Sequence, residues 1–186
     1  MISRRFGIPV GLVAGIALTF GAQLAFGQVA GGFRSAETPT QRLNAAVQQL
    51  GIVRCGPVLQ QAGAFLLENA PAQFVVQPLG PDTNRWPTVV TMEGSHAVAG
   101  KPAAPPQTRL TTMVVAPAGT CSGLYTQVIY WPEPCSALKT RVFAAYANER
   151  PLHSRVRQSE LNAGLQLYLM PAGTGGCVSV KKELIG

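Results

Sequence analysis

Acidic residues are scarce in this 186-residue sequence. Seven glutamates and a single aspartate, Asp82, stand against 15 lysines and arginines, which gives a formal net charge of +7 at pH 7. A moderately basic surface favours anionic partners such as lipid headgroups, envelope polysaccharide or an acidic protein, and it is compatible with peripheral membrane contact. The basic residues are dispersed along the chain, which argues against nucleic acid as a partner. A basic surface without any such partner is the alternative.

Sequence motifs that carry catalysis are also missing. No Cys-x-x-Cys redox motif occurs, and His96 and His153 each lack a second His, Cys or Asp at ligand spacing. Ser95 has no Gly-x-Ser-x-Gly elbow around it, and the glycine-rich run 173–176 lacks the lysine and helix of a phosphate loop. A glycosidase needs a pair of carboxylates, but the candidate glutamates stand in no recognisable motif; they are Glu68, Glu93, Glu133, Glu149 and Glu160. We therefore predict no catalytic residue, no metal site and no cofactor.

Long apolar runs are absent except at the N-terminus. Residues 1–27 place Arg4 and Arg5 before an apolar stretch that ends in small residues, which is the pattern of a secretory signal peptide cleaved after Gly27. An uncleaved membrane anchor and a twin-arginine export signal are the alternatives. Cleavage removes two arginines and lowers the net charge to +5.

Helical periodicity dominates the first third of the mature sequence. We expect residues 28–39 to form a flexible leader and residues 40–186 to form one domain, a length that suits a single core. Thr40 is the expected cap of a first helix, and Pro57 fits the first turn of a second. Their apolar stripes follow the 3, 4, 7 spacing of one buried face. These stripes are Leu43, Ala46, Val47 and Leu50, then Val58, Ala62, Phe65 and Leu66.

Later segments alternate apolar and polar residues as strands do, between loops rich in proline and glycine. We predict strands at 74–77, 88–93, 108–116, 124–131, 164–170 and 178–184. The segment 138–144 fits either a strand or a helix that Ser136 caps. The tetrapeptide Pro-Ala-Gly-Thr occurs twice, each time between a strand and a cysteine. This repetition predicts two similar β-hairpins in which Gly119 and Gly173 have positive φ.

Four cysteines in an exported chain predict two disulfides. The strand 124–131 spans about 23 Å, whereas the Cα atoms of bonded cysteines lie within about 7 Å, so a bond between Cys121 and Cys135 is disfavoured. If each element from residue 108 onward crosses the domain and the next returns, Cys135 and Cys177 lie at one end of the sheet. We therefore predict bonds from Cys135 to Cys177 and from Cys55 to Cys121, each contributing about 3 to 5 kcal/mol.

These features together predict an α+β fold. A kinked helix or helix pair packs on a mostly antiparallel sheet of about five or six strands, clamped by two disulfides. Tyr125 and Trp131 are in phase along their strand and Tyr130 is not, so this strand has two apolar faces and belongs at the sheet centre. The helices cover one of its faces. The other face needs cover from the proline-rich loops or from a partner.

Basic side chains concentrate in the segment 149–158, which we predict to be a loop. Such a cluster is suited to bind a carboxylate or a phosphate, and a solvated basic surface is the alternative. The candidate anion- or partner-binding residues are Arg150, His153, Arg155, Arg157, Lys181 and Lys182.

The absence of catalytic motifs and the two-sided strand favour a binding function. We expect an exported, non-enzymatic accessory protein of the cell envelope that binds a partner protein or an anionic envelope component. Its expected location is the periplasm, or else the extracellular medium. The alternative functions are an envelope hydrolase with dispersed catalytic residues and a carrier of a small molecule or lipid.

Overall fold

The computed structural model describes residues 29–30, 37–67, 71–96 and 107–186. The predicted signal peptide lies outside these residues. The described helices are α1 (Pro39–Gln49), α2 (Gly56–Leu67) and α3 (Cys135–Arg141). The described strands are β1 (Val29–Ala30), β2 (Ala72–Pro78), β3 (Thr88–His96), β4 (Gln107–Ala116), β5 (Ser122–Trp131), β6 (Ala147–His153), β7 (Val156–Asn162), β8 (Leu165–Ala172) and β9 (Gly176–Ile185).

All described strands belong to one antiparallel sheet in the order β1-β2-β3-β4-β5-β9-β8-β7-β6. The chain forms a first meander from β1 to β5 and then crosses through α3 to β6 at the far edge. It returns strand by strand until β9 pairs with β5. The α+β class and the antiparallel sheet are confirmed. The predicted five or six strands are too few, because the described part of the chain has eight strands of seven residues or more besides the two-residue β1.

Two of the additional strands lie where we predicted a loop. β6 and β7 form a hairpin that contains most of the basic segment 149–158. Every residue of β6 is exposed, so no alternation of apolar and polar residues marks it as a strand in the sequence. Its pairing with β7 also shifts register twice, which is common at a sheet edge.

The helices begin at different residues from those predicted. The segment at 138–144 contributes to a helix, α3, whose N-cap is Pro134 rather than Ser136. Thr38, not Thr40, caps α1, because its hydroxyl accepts a hydrogen bond from the Gln41 N–H while the Gln41 side chain accepts one from the Thr38 N–H. Pro39 then occupies the first turn of α1. The N–H groups of that turn have no hydrogen-bond partner within the helix, so the missing N–H of proline costs no hydrogen bond.

All three helices pack on the same face of the sheet, which we call the helix side. Alternate residues of each strand point to that side because strands have a period of two. α1 and α2 pack closely, since a Cβ on Gly63 of α2 would overlap the Leu43 side chain of α1. They cover β2 to β5 with a first core whose fully buried members include Leu43, Val47, Leu59, Leu67, Val76, Val90, Met113, Val115 and Tyr125. α3 covers a second core formed by Ile129, Trp131, Leu138, Leu167, Leu169 and Cys177.

One disulfide lies in each core. Cys55, at the start of α2, bonds to Cys121 before β5, with their Cα atoms 5.6 Å apart. Cys135 of α3 bonds to Cys177 of β9 at a Cα separation of 5.0 Å. This is the pairing predicted from the sequence, and all four cysteines are bonded. Two disulfides are typical of proteins that fold in an oxidising, non-cytoplasmic compartment.

The two Pro-Ala-Gly-Thr segments lie at the predicted hairpins, between β4 and β5 and between β8 and β9. The second begins within β8, where Pro171 and Ala172 still pair with β9. Gly119 and Gly173 have φ values of 59° and 61°, in the left-handed region where a side chain is strained. None of the helices in the described ranges is both long and apolar enough to cross a bilayer.

Candidate binding surface on the outer face of the sheet

The face of the sheet opposite the helices, which we call the outer face, carries rows of apolar side chains. Strand register aligns residues of neighbouring strands across the sheet, so each row runs perpendicular to the strands. The first row crosses β4, β5, β9 and β8 and consists of Leu110, Val128, Val180 and Tyr168. The second consists of Val89, Val114, Leu124 and Leu184. The third consists of Tyr130, Val178 and Met170.

A polar row separates the first two apolar rows. Thr91, Thr112 and Thr126 lie side by side on β3, β4 and β5, and Lys182 continues the row on β9. Lys182 Nζ lies 5.3 Å from the centre of the Tyr168 ring, where the ring face attracts its positive charge. The outer face is therefore largely apolar at its centre, with a narrow line of hydroxyl groups and one lysine through it. Polar residues adjoin the rows at their ends, namely Glu93 on β3, Gln166 on β8 and Gln158 on β7.

Solvent reaches much of this face. Described helices pack on the other side of the sheet, so the large side chains of the outer face are only partly covered by their neighbours. Five of them are more than a third exposed: Val75 (36 %), Leu110 (48 %), Leu124 (38 %), Tyr130 (54 %) and Leu184 (65 %). β5 is the central strand, and its two faces differ as predicted, because Tyr125 and Trp131 are buried while Tyr130 is exposed.

The predicted basic residues do not form one patch. Lys181 and Lys182 are neighbours on β9, so their side chains point to opposite faces of the sheet. Arg150 forms an ion pair with Glu160 at 2.9 Å, and Arg157 forms one with Glu149 at 3.4 Å. Both are exposed pairs, which contribute little to stability.

The hairpin of β6 and β7 holds the other two predicted residues. His153 ends β6 and its Nδ1 lies 3.1 Å from Ser154 Oγ, and both residues are exposed. Arg155 lies in the turn and makes no ion pair with any described residue. Of the predicted cluster, Arg155 and Arg157 lie together, on the helix side of the hairpin, where they line a cavity with α3.

A buried polar group on the helix side was not predicted. The Tyr125 hydroxyl donates a hydrogen bond to Glu183 Oε2, and Lys181 Nζ lies 3.1 Å from the same oxygen. Burial raises the pKa of Tyr125 well above its usual value, and the hydrogen bond to Glu183 and the charge of that carboxylate raise it further. The phenol therefore stays neutral at physiological pH. Tyr125 and Glu183 are directly opposite on β5 and β9, a pairing that only the strand order reveals.

No group of three or more His, Cys, Asp or Glu within the described ranges is placed to hold a metal ion. No protein-family model, curated protein or solved structure matches this chain in the comparisons made.

Proposed function

We propose that this protein is an exported, non-enzymatic binding protein of the cell envelope that docks an acidic partner protein on the outer face of its sheet. The observation that carries the proposal is the set of three apolar rows on a sheet face that no described helix covers. We place its action in the periplasm, or alternatively outside the cell, because the two disulfides suit an oxidising compartment and the N-terminal pattern predicts export.

The size of the apolar surface supports a protein partner. Five strands from β3 to β8 span about 24 Å across the sheet, and the rows extend over about 20 Å along β5. The rectangle that encloses the three rows, with the polar row between them, measures roughly 500 Å², which is the size of the largest apolar patch on a typical soluble protein, and such patches are often functional. Tyr130 and Tyr168 add aromatic rings, which are enriched at such interfaces.

Charge favours an acidic partner over a second copy of this chain. The mature chain carries a net charge of +5, so two copies repel each other as they approach. Lys182 lies among the apolar rows and Glu93 lies at their edge on β3, so face-to-face association of two copies would remove both lysines from water with an opposite charge at the edge of the surface rather than among the rows. A partner with an acidic residue opposite Lys182 avoids both penalties.

Photo-crosslinking from Thr112, in the polar row, would identify the partner in cells. The proposal requires that the captured protein, once purified, binds the wild-type protein and binds more weakly as salt increases. Replacing two exposed outer-face residues, Leu110→Gln with Leu184→Gln, should weaken this binding at least about tenfold, because each removes apolar contact area.

A matched control is available away from the sheet. Val53 is 77 % exposed in the connection between α1 and α2, so Val53→Gln should leave the affinity unchanged. Equal binding by the double variant and by wild-type protein would disprove the outer face as the interface. If the purified protein sediments as a dimer, the occupant of the outer face is a second copy of this chain and not an acidic partner.

A further inference from the structure

A cavity on the helix side joins the predicted basic residues to α3. Its volume is about 460 Å³, within the range of small-molecule sites. The hairpin of β6 and β7 contributes Arg155 and Arg157, and α3 contributes Lys139 and Ser136. The cavity lies on the opposite side of the sheet from the outer face, so it is independent of the proposed protein interface.

The lining carries a net positive charge. Lys139, Arg155 and Arg157 are basic, and Glu149 is the acidic residue in the lining. The Glu149 carboxylate is 3.4 Å from Arg157 Nε, so the negative charge of Glu149 is balanced by the positive charge of Arg157. The lining therefore has an excess of two positive charges, close to the charge of about −1.5 to −2 that a phosphate monoester carries at pH 7.

Donor groups remain for a ligand after the internal contacts are made. Lys139 Nζ donates to the backbone oxygens of Phe143 and Tyr146, which leaves one of its three N–H groups. Arg155 has no ion-pair partner among the described residues, so its whole guanidinium is available. A guanidinium binds two phosphate oxygens at once, and an ammonium attracts the phosphate as a point charge.

The rest of the lining suits the body of a small organic molecule. Ser136 and Ser154 offer hydroxyl groups at the sides of the cavity, and Leu169 and Pro171 offer carbon surface. Leu169 and the disulfide beside it belong to the second core, so this part of the wall is rigid.

We propose that this cavity binds a phosphate monoester carried by a small hydroxylated group. Arg155 holds the phosphate, Lys139 adds charge, Arg157 lies beside them paired with Glu149, and the serine hydroxyls contact the remainder of the ligand. The same chemistry occurs in a soluble sugar or polyol phosphate and in a lipid whose headgroup is a phosphate monoester. The two sources are separated by the experiment below.

Glycerol 3-phosphate is the soluble probe, and phosphatidylcholine vesicles containing phosphatidic acid are the lipid probe. In an NMR titration of the disulfide-bonded protein, glycerol 3-phosphate should shift the amide signals of Ser136, Lys139 and Arg155, while glycerol should not. Arg155→Gln should weaken binding roughly tenfold to a hundredfold, because it removes charged hydrogen bonds. Arg155 is exposed and unpaired, so this variant should fold normally.

Arg85→Gln is the matched control. Arg85 is a basic residue of the loop between β2 and β3, its side chain is 83 % exposed, and it pairs with Asp82. If the protein binds the soluble probe, and Arg155→Gln loses this binding while Arg85→Gln keeps it, the ligand is a soluble phosphate monoester. The same pattern with vesicles alone supports a lipid headgroup. Binding of neither probe, or an equal loss in both variants, would overturn the proposal.

Discussion

Tyr125 places a phenol inside the first core and joins the two meanders of the sheet through its hydrogen bond to Glu183. The ring is 1 % exposed and is accompanied by Lys181, whose Nζ lies 5.3 Å from its centre and 5.7 Å from that of Phe65. Burying a hydroxyl group without a hydrogen-bond partner costs folding free energy. The hydrogen bond to Glu183 offsets this cost for Tyr125. Burial, and then the Glu183 charge, also raise the pKa of Tyr146.

Burial of Tyr125 makes stability fall at alkaline pH. Its pKa is about 10 in the unfolded chain and higher in the folded protein, so only the unfolded chain releases the proton just above pH 10. This contribution to stability is complete below about pH 10 and is lost as the pH rises towards the folded pKa. We expect the urea midpoint to fall as the pH rises above about 10, and to fall less steeply in Tyr125→Phe. Equal slopes for the two proteins would contradict this account.

Among the elements, the helix pair depends on a covalent link to the sheet. α1 and α2 cover β2 to β5, and the bond from Cys55 to Cys121 fixes the start of α2 beside the turn that precedes β5. The two cysteines are 66 residues apart, so the bond greatly restricts the unfolded chain.

Removing this bond should strongly destabilise the protein. The double variant Cys55→Ala with Cys121→Ala should lose about 4 kcal/mol of unfolding free energy, because the unfolded chain regains the freedom of a long loop. Urea denaturation followed by circular dichroism measures the loss. The corresponding variant at Cys135 and Cys177, which are 42 residues apart, should lose a similar amount. A loss below about 1 kcal/mol would show that the helix pair holds its position without the bond.

Elements with an apolar buried face were predictable from the sequence, whereas β6, which is exposed throughout, and β7, whose buried residues are the polar Gln158 and Ser159, were not. Strands β2, β3, β4 and β8 alternate buried and more exposed residues over most of their length, and β5 and β9 do so over part of theirs. Each was predicted within a few residues. β6 has no buried residue, so its segment resembles a polar loop. Thr38 and Thr40 are equally good caps by composition. The position of Pro39 and the reach of Gln41 decide between them.

At the scale of the whole molecule, the sheet consists of two halves joined along β5 and β9. Each half has its own core and its own disulfide. Sequence reasoning predicted the cysteine pairs because they depend only on which end of the sheet a turn occupies. The strand order could not be predicted from the sequence. After β5 the chain passes through α3 and skips the positions that β9, β8 and β7 later occupy before it forms β6. The apolar rows of the outer face and the cavity beside α3 both depend on that order.

The two-half organisation predicts that loss of one disulfide loosens one half. In the double variant of Cys135 and Cys177, amide exchange should accelerate in α3 and β6 to β8 more than in β2 to β4. The variant of Cys55 and Cys121 should show the reverse, because each bond lies within one core. Hydrogen exchange followed by mass spectrometry resolves these segments. A uniform acceleration in both variants would mean that the sheet opens as one unit.

The exposed strand β6 has a consequence for how copies of this protein meet at high concentration. An open sheet ends in a row of unpaired backbone groups that can serve as a template for amyloid-like growth. Here that terminal strand contains Pro151, which has no N–H to offer. The charged Glu149 and Arg150 precede it, and the pairing of the strand with β7 shifts register twice. These features disfavour strand-by-strand polymerisation at this end of the sheet, even while the apolar outer face stays open to solvent.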